Sequence, residues 1–362
     1  MAIAAMRDAM SLDHPDIVAS VARYESELAA TLGSAVVDAD VQEKHRKMRK
    51  TAFQFLRATC FRWAETAASL CPSLMAAAPV GAVVDSHAGN FGLWRDAQMR
   101  LVWGVNDFDE AARAPWPMDL VRLAASLVLA LDDARAGEIA DAVIAGYADG
   151  LATPRAFVLE RDHAWLRDAF TASDKAREAY WAKLDAALPA PCNPAAFDQP
   201  LRAALGPVEQ ATIAPRSAGV GSLGRPRFVA MGQWRGGPVA AEIKALLPSA
   251  WVGGRVAGLA DRLAHGRFRS PDPTLRYAAD HVVRRLGPNS SKLDFDTLAP
   301  ALHTNLFCAM GRELAAIHRD SSEAAPIASE LAAFPAGWLK RAAKTVAAAT
   351  EADWDEFRRG AG

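Results

Sequence analysis

Asp85, His87 and Asn90 fall within six residues in VVDSHAGNFGLW (83–94), and Asp107 and Asp109 come next in VNDFDEA (105–111). Magnesium takes oxygen ligands, usually one or two carboxylates with substrate phosphates completing the shell. An aspartate and an asparagine from adjoining loops suit that chemistry. Asp85, a further carboxylate, can accept or orient a substrate hydroxyl. The bland alternative is a polar turn in which Asp and Asn side chains cap backbone groups. Either cluster alone favours the turn; both together, with one hairpin between them, favour the site.

A second constellation is GVGSLG, with Gly219, Gly221 and Gly224 around Ser222. Alone this spacing is weak, and a dinucleotide-binding reading needs a strand before it and a helix after it. The next segment, RPRFVAMGQW, reads as a strand, and a second strand then ends in AEIK. Glycine loop, strand, turn and strand lysine is the kinase order, in which the loop covers the phosphates and the lysine, here Lys244, pairs with them. The bland reading of Lys244 is a solvated edge residue. Asp119, in APWPMDLVRLAASL, starts an apolar stretch; it caps that helix or, if buried, braces the backbone of the loop holding Asp85.

The elements that must position these residues are set by periodicity. Residues 15–32 and 41–70 read as amphipathic helices, the second with a basic first half (Lys44, Arg46, Lys47, Arg49, Lys50) read as a solvated face. FGLW and RLVWGV read as strands around the turn RDAQ. The antiparallel pairing brings Asp85 and Asn90 beside Asp107 and Asp109. Residues 115–133 read as a helix with Leu120, Leu123, Leu127 and Leu131 at helical spacing, and helical pattern continues to about 190. Residues 189–200 are proline-rich and read as a linker. Strands joined by a Gly236-Gly237 turn, and another in ADHVVRRL, make a β-rich block before helices return after 297. The expected organisation is a helical part (1–204), a β-rich part (205–296), and helices (297–362) that rejoin the first.

Composition bounds the function. The chain has 362 residues, 51% hydrophobic and 23% charged, with net charge −1. No overall basic field draws it to nucleic acid or a membrane. Cys60, Cys71, Cys192 and Cys308 are scattered without a CxxC pair, which fits a reducing cytoplasm and no zinc ribbon. No run approaches the ~18 apolar residues of a membrane span.

VVDSHAGNFGLW, GVNDFDEA, PWPMDLVRLAASLVLA, GVGSLG, EIKALLPS and GRELAAIHRDS together resemble the bacterial domain-of-unknown-function family numbered 2252, from about residue 45 to the end. More remotely, DSHAGNF through NDFDEA to MDLVRLA is similar to aminoglycoside and choline phosphotransferases, which have a protein-kinase-like fold. That resemblance implies Asp85 as catalytic aspartate, Asn90 and Asp107 as magnesium ligands, and Asp119 as the brace at the helix start. In the phosphotransferase reading Asp109 is an extra ligand. His87 becomes a loop-ordering hydrogen-bond donor, and MGRELAAIH looks like the helix that precedes the catalytic loop.

The order of these parts implies an α+β, protein-kinase-like two-lobe fold that is circularly permuted, helical C-lobe elements first and β-rich N-lobe elements second. The sequence departs from the kinase pattern at Val83, where a histidine is usual, and in Asp-Phe-Asp in place of Asp-Phe-Gly. It also lacks a glutamate at the kinase distance after Lys244. Asp261 is the nearest substitute, and Glu242 is close in sequence.

The leading expectation is an ATP- and magnesium-dependent phosphotransferase. Gly219, Gly221, Ser222, Gly224 and Lys244 would bind the nucleotide, and the acceptor would be an unknown small molecule or protein bearing a hydroxyl. A nucleotide-binding pseudokinase is the alternative, and transfer of a nucleotidyl group stays open. A metallophosphoesterase with His87 as a ligand is the third reading, although the chain lacks the further His and Asn ligands of a two-metal site.

Overall fold

The computed structural model describes residues 15–188, 192, 194–208, 210–289 and 298–360. The chain is mixed α+β. It begins with α1 (Ile17–Leu32), whose first turn is capped by Asp16 accepting from Ala19 N at 2.7 Å. The expected single helix over 41–70 is three: α2 (Asp38–Met48), α3 (Ala52–Ala58) and α4 (Cys60–Leu70). Two threonines divide it. Thr51 caps α3 by accepting from Gln54 N, and Thr59 leaves helical geometry (ψ 47°) between α3 and α4. The basic half is not uniformly solvated either. Lys44 is 3% exposed, its ammonium 4.1 Å from the centre of the Tyr24 ring.

Next come β1 (Pro79–Ala82), β2 (Phe91–Arg95), β3 (Leu101–Val105) and β4 (Ala112–Pro115). The hairpin of β2 and β3 forms as expected, with Phe91 opposite Val105 and Leu93 opposite Trp103. Asp96 closes its turn by accepting from the amides of Gln98 and Arg100. β1 pairs with β4, which sets the entrance to the first acidic loop beside the exit from the second. α5 (Pro117–Ala130) and α6 (Ala136–Ala152) come after, then β5 (Phe157–Val158), which extends the hairpin sheet, and α7 (Ala164–Phe170) and α8 (Asp174–Asp185). α5 is apolar on nearly every side because it is buried on nearly every side, with Leu120, Leu123 and Leu127 fully enclosed.

Of the expected linker over 189–200, residues 189–191 and 193 lie outside the described residues, and from Asp198 the chain is helical as α9 (Asp198–Leu205). A five-stranded antiparallel sheet comes next: β6 (Ala211–Pro215), β7 (Arg227–Trp234), β8 (Gly237–Ala245), then α10 (Ala257–Ala264), β9 (Arg276–Tyr277) and β10 (His281–Leu286), in the order β6-β7-β8-β10-β9. The turn between β7 and β8 is Arg235-Gly236, both at positive φ, one residue earlier than its sequence suggests. One sheet face packs Ile213, Ala230, Ala241 and Ile243 against Leu201 and Leu205 of α9. The other packs Ala214, Val229, Met231 and Ala240 against Leu184 of α8 at one end, and is charged at the other.

The chain closes with α11 (His303–Ser321), α12 (Ala324–Ala333) and α13 (Trp338–Gly360). α11 lies along α6 and shares its core with β1–β4 and α5. Among the described residues no helix is long and apolar enough to cross a membrane.

Candidate active site

Asp85 sits in a loop whose backbone is held from behind. Asp119, fully buried in the first turn of α5, accepts from Val83 N at 2.8 Å and Val84 N at 2.7 Å, and Ser86 Oγ donates to the Asp119 carbonyl. Val84 has φ +64°, a strained conformation for a β-branched residue, so the bond to its amide holds it where it would not otherwise stay. Asp119 also meets His318 Nε2 of α11 at 3.0 Å, and Gly81 N donates to Ser321 Oγ at 2.6 Å. The C-terminal end of α11 therefore lies against the strand that leads into the Asp85 loop, although the two are more than 200 residues apart in the chain.

The expected acidic residues converge. Asn90 Nδ2 donates to the Asp85 carbonyl at 3.2 Å and the Asp107 carbonyl at 2.9 Å, tying the two loops together. The Tyr277 hydroxyl of β9 accepts from Phe108 N at 2.9 Å, which joins the sheet to the second loop. From β8, Lys244 Nζ lies 2.8 Å from Asp107 Oδ2 and 2.7 Å from Asp109 Oδ2. Two segments 137 residues apart thus meet in one charged cluster. Burial and the neighbouring Asp107 charge push the Asp109 carboxyl up to about 6, against the pull of Lys244 and Arg225.

Asp85, His87, Asn90, Asp107 and Asp109 line a cavity of about 640 Å³ between the helical part and the sheet, and so do Gly219, Gly221 and Ser222 of the β6–β7 loop. Gly219 adopts φ +74°, a conformation that favours glycine, and a Cβ on Gly221 would stand 3.0 Å from the Arg57 carbonyl, a close approach of loop to helix. Gly224 does not line the cavity. Its carbonyl accepts from Val37 N at 3.0 Å, and a Cβ there would meet Val41 and Leu28; it anchors the loop under α1 and α2. Ser222 Oγ accepts from Arg227 at 2.5 Å. Asp119 supports the site from outside the cavity.

Several charged residues escape the sequence reading. Arg122, 2% exposed, donates from Nε and Nη2 to Asp85 Oδ1 at 3.0 and 2.5 Å. Its signal is an arginine inside the apolar run MDLVRLAASL, one turn after Asp119. Arg225 pairs with Asp109 at 3.1 Å and Glu110 at 3.6 Å. Asp261 does not serve Lys244: its carboxylate accepts from Tyr277 N, because α10 faces β9 there. Glu242 is held by arginines instead of by the lysine two residues on.

A magnesium ion fits the donor set. Asn90 Oδ1 and Asp109 Oδ1 are buried, and neither finds a hydrogen-bond partner among the described residues. With Asp107 they offer oxygen donors alone, as a hard cation requires. Among the described residues no group of three or more His, Cys, Asp or Glu side chains is placed to hold a metal, so a two-metal hydrolytic centre has no ligand set among them.

Fold and cavity together define a mixed α+β chain with paired acids and a glycine-rich loop around one pocket, and a buried lysine that pairs with two of those acids without lining the pocket itself. The model of the family described as "Uncharacterized protein conserved in bacteria (DUF2252)" matches residues 36–179 and 195–360, and the chain belongs to that family. No curated protein and no solved structure matches it.

Proposed function

We propose that this protein is an ATP- and magnesium-dependent phosphotransferase with a circularly permuted, protein-kinase-like arrangement. The reading rests chiefly on Lys244, whose ammonium reaches Asp107 and Asp109 beside the glycine-rich loop. The contacts of His318 and Ser321 with Asp119 and Gly81 support the permutation, since they join the helix that comes last to the loop that comes first. Asn90, Asp107 and Asp109 would hold the metal, which neutralises charge on the transferring phosphate. The loop amides and Lys244 bind phosphate. Asp85 orients the acceptor hydroxyl, and catalysis is positioning plus charge neutralisation.

The test is calorimetric. Wild type is expected to bind ATP more tightly with magnesium than without it, and Asp107→Ala and Lys244→Ala should each weaken the magnesium-dependent binding by at least about tenfold, roughly 1.4 kcal/mol. Wild type that ignores ATP at millimolar concentration ends this reading. For turnover, Asp85→Asn is expected to lower the rate on any acceptor by about a thousandfold while ATP affinity stays within about threefold. One observation favours a second reading, a nucleotide-binding module without turnover: the buried guanidinium of Arg122 already occupies Asp85 Oδ1. ATP binding with no transfer to water, sugars, amino alcohols or protein would select it.

A further inference from the structure

The charged end of the sheet carries a cluster that the phosphotransfer reading leaves unused. Glu242 of β8, 2% exposed, is met by three guanidiniums: Arg216 just after β6, Arg227 of β7 at 2.7 Å and Arg284 of β10 at 3.1 Å. Three cations on one carboxylate leave two positive charges in excess. The nearby acids are already engaged, Asp107 and Asp109 by Lys244, and Asp109 and Glu110 by Arg225. Burial, then mutual repulsion, pushes Arg227 down to about 9 and Arg216 to about 10, so both remain charged at neutral pH.

These residues face the cavity. Arg216, Arg227, Arg284 and Tyr180 of α8 all line it. Two donors there are buried and find no hydrogen-bond partner among the described residues: Arg216 Nε and the Tyr180 hydroxyl. Buried donors left unmade are costly, and like charges held together are costly as well. An apolar ring laid on this end of the sheet would desolvate the guanidiniums without compensating them. A tetrahedral oxyanion would answer both the idle donors and the excess charge.

We propose that Arg216, Arg227, Arg284 and Tyr180 form an oxyanion site for a phosphate monoester or diphosphate group of the ligand. This site adjoins the one at Lys244 and the glycine-rich loop, since Arg227 also donates to Ser222 and lies opposite Lys244 in the sheet. The inference stands without the phosphotransferase reading.

Inorganic pyrophosphate, titrated calorimetrically in EDTA at low ionic strength, tests it. Wild type is expected to bind. Arg284→Gln, on the part-exposed rim, should weaken binding by about tenfold, and Tyr180→Phe by about threefold. Glu242→Gln removes the internal counter-charge and should tighten binding by about fivefold, the reverse of what a purely structural carboxylate would show. If Glu242→Gln does not fold, Arg284→Gln and Tyr180→Phe carry the comparison. No binding by wild type, or binding indifferent to Arg284 and Tyr180, overturns the proposal. Pyrophosphate binding that needs Arg284 in a protein that ignores ATP keeps this site and removes the phosphotransferase. Magnesium-dependent ATP binding beside pyrophosphate binding indifferent to Arg284 does the opposite.

Discussion

Asp119→Ala is expected to lose about 4 kcal/mol of stability in urea denaturation, and to weaken ligand binding in a cavity that Asp119 does not line. The carboxylate takes two backbone amides and one imidazole nitrogen in a fully buried position. Alanine leaves the amides of Val83 and Val84 without their acceptor. Each orphaned amide costs on the order of 1–3 kcal/mol. Val84 is then free to leave its left-handed backbone conformation, and Asp85 moves with it. Asp119→Asn keeps one acceptor oxygen and should lose about half as much. A melt for Asp119→Ala that overlays wild type would show that the loop is held by other means.

Gly146→Ala should be nearly as damaging, by at least about 3 kcal/mol, although it adds one methyl group. Its Cβ would lie 1.9 Å from the Cys308 carbonyl oxygen on α11. The approach is mutual: a Cβ on Gly311 would lie 2.2 Å from the Val143 carbonyl on α6. Backbone faces backbone, so no rotamer change relieves the clash and the helices must separate. Gly137→Ala is the control within the same helix. Its Cβ finds nothing nearer than the end of the Lys340 side chain at 3.7 Å, and in the first turn of the helix it should change stability by less than about 0.5 kcal/mol. A large loss at Gly146 beside a near-neutral Gly137 would assign the loss to packing.

Local chemistry is the part of this fold that can be read along the chain. The β2–β3 hairpin is legible because apolar alternation brackets RDAQ, and α5 because its leucines recur at helical spacing. The meeting of Asp107 with Lys244 is legible through the order of a glycine loop and a strand lysine, and the two side chains do pair. Asp119 as a loop brace is legible from an acid opening an apolar helix. The division of 41–70 is hidden because Thr51 and Thr59 act through backbone caps that periodicity does not register. Lys44 looks like any surface lysine until Tyr24 covers it. The trio on Glu242 is invisible for a different reason: Arg216, Arg227 and Arg284 belong to three separate strands or their edges, and only the sheet order puts them on one carboxylate. Arg122 is readable in principle, as a charge inside MDLVRLAASL.

The clamp on the glycine-rich loop bears on how that loop can move. Gly224 lies beneath Val41 and Leu28, Val37 holds its carbonyl, and Ser217 at the other end of the loop bonds Asp40. Tyr24 and Leu28 of α1 themselves wall the cavity. A loop buttressed in this way does not flap by itself. Any movement of that loop is therefore tied to movement of α1 and α2. Amide hydrogen exchange in residues 17–48 should slow on occupancy even where those residues never touch the ligand.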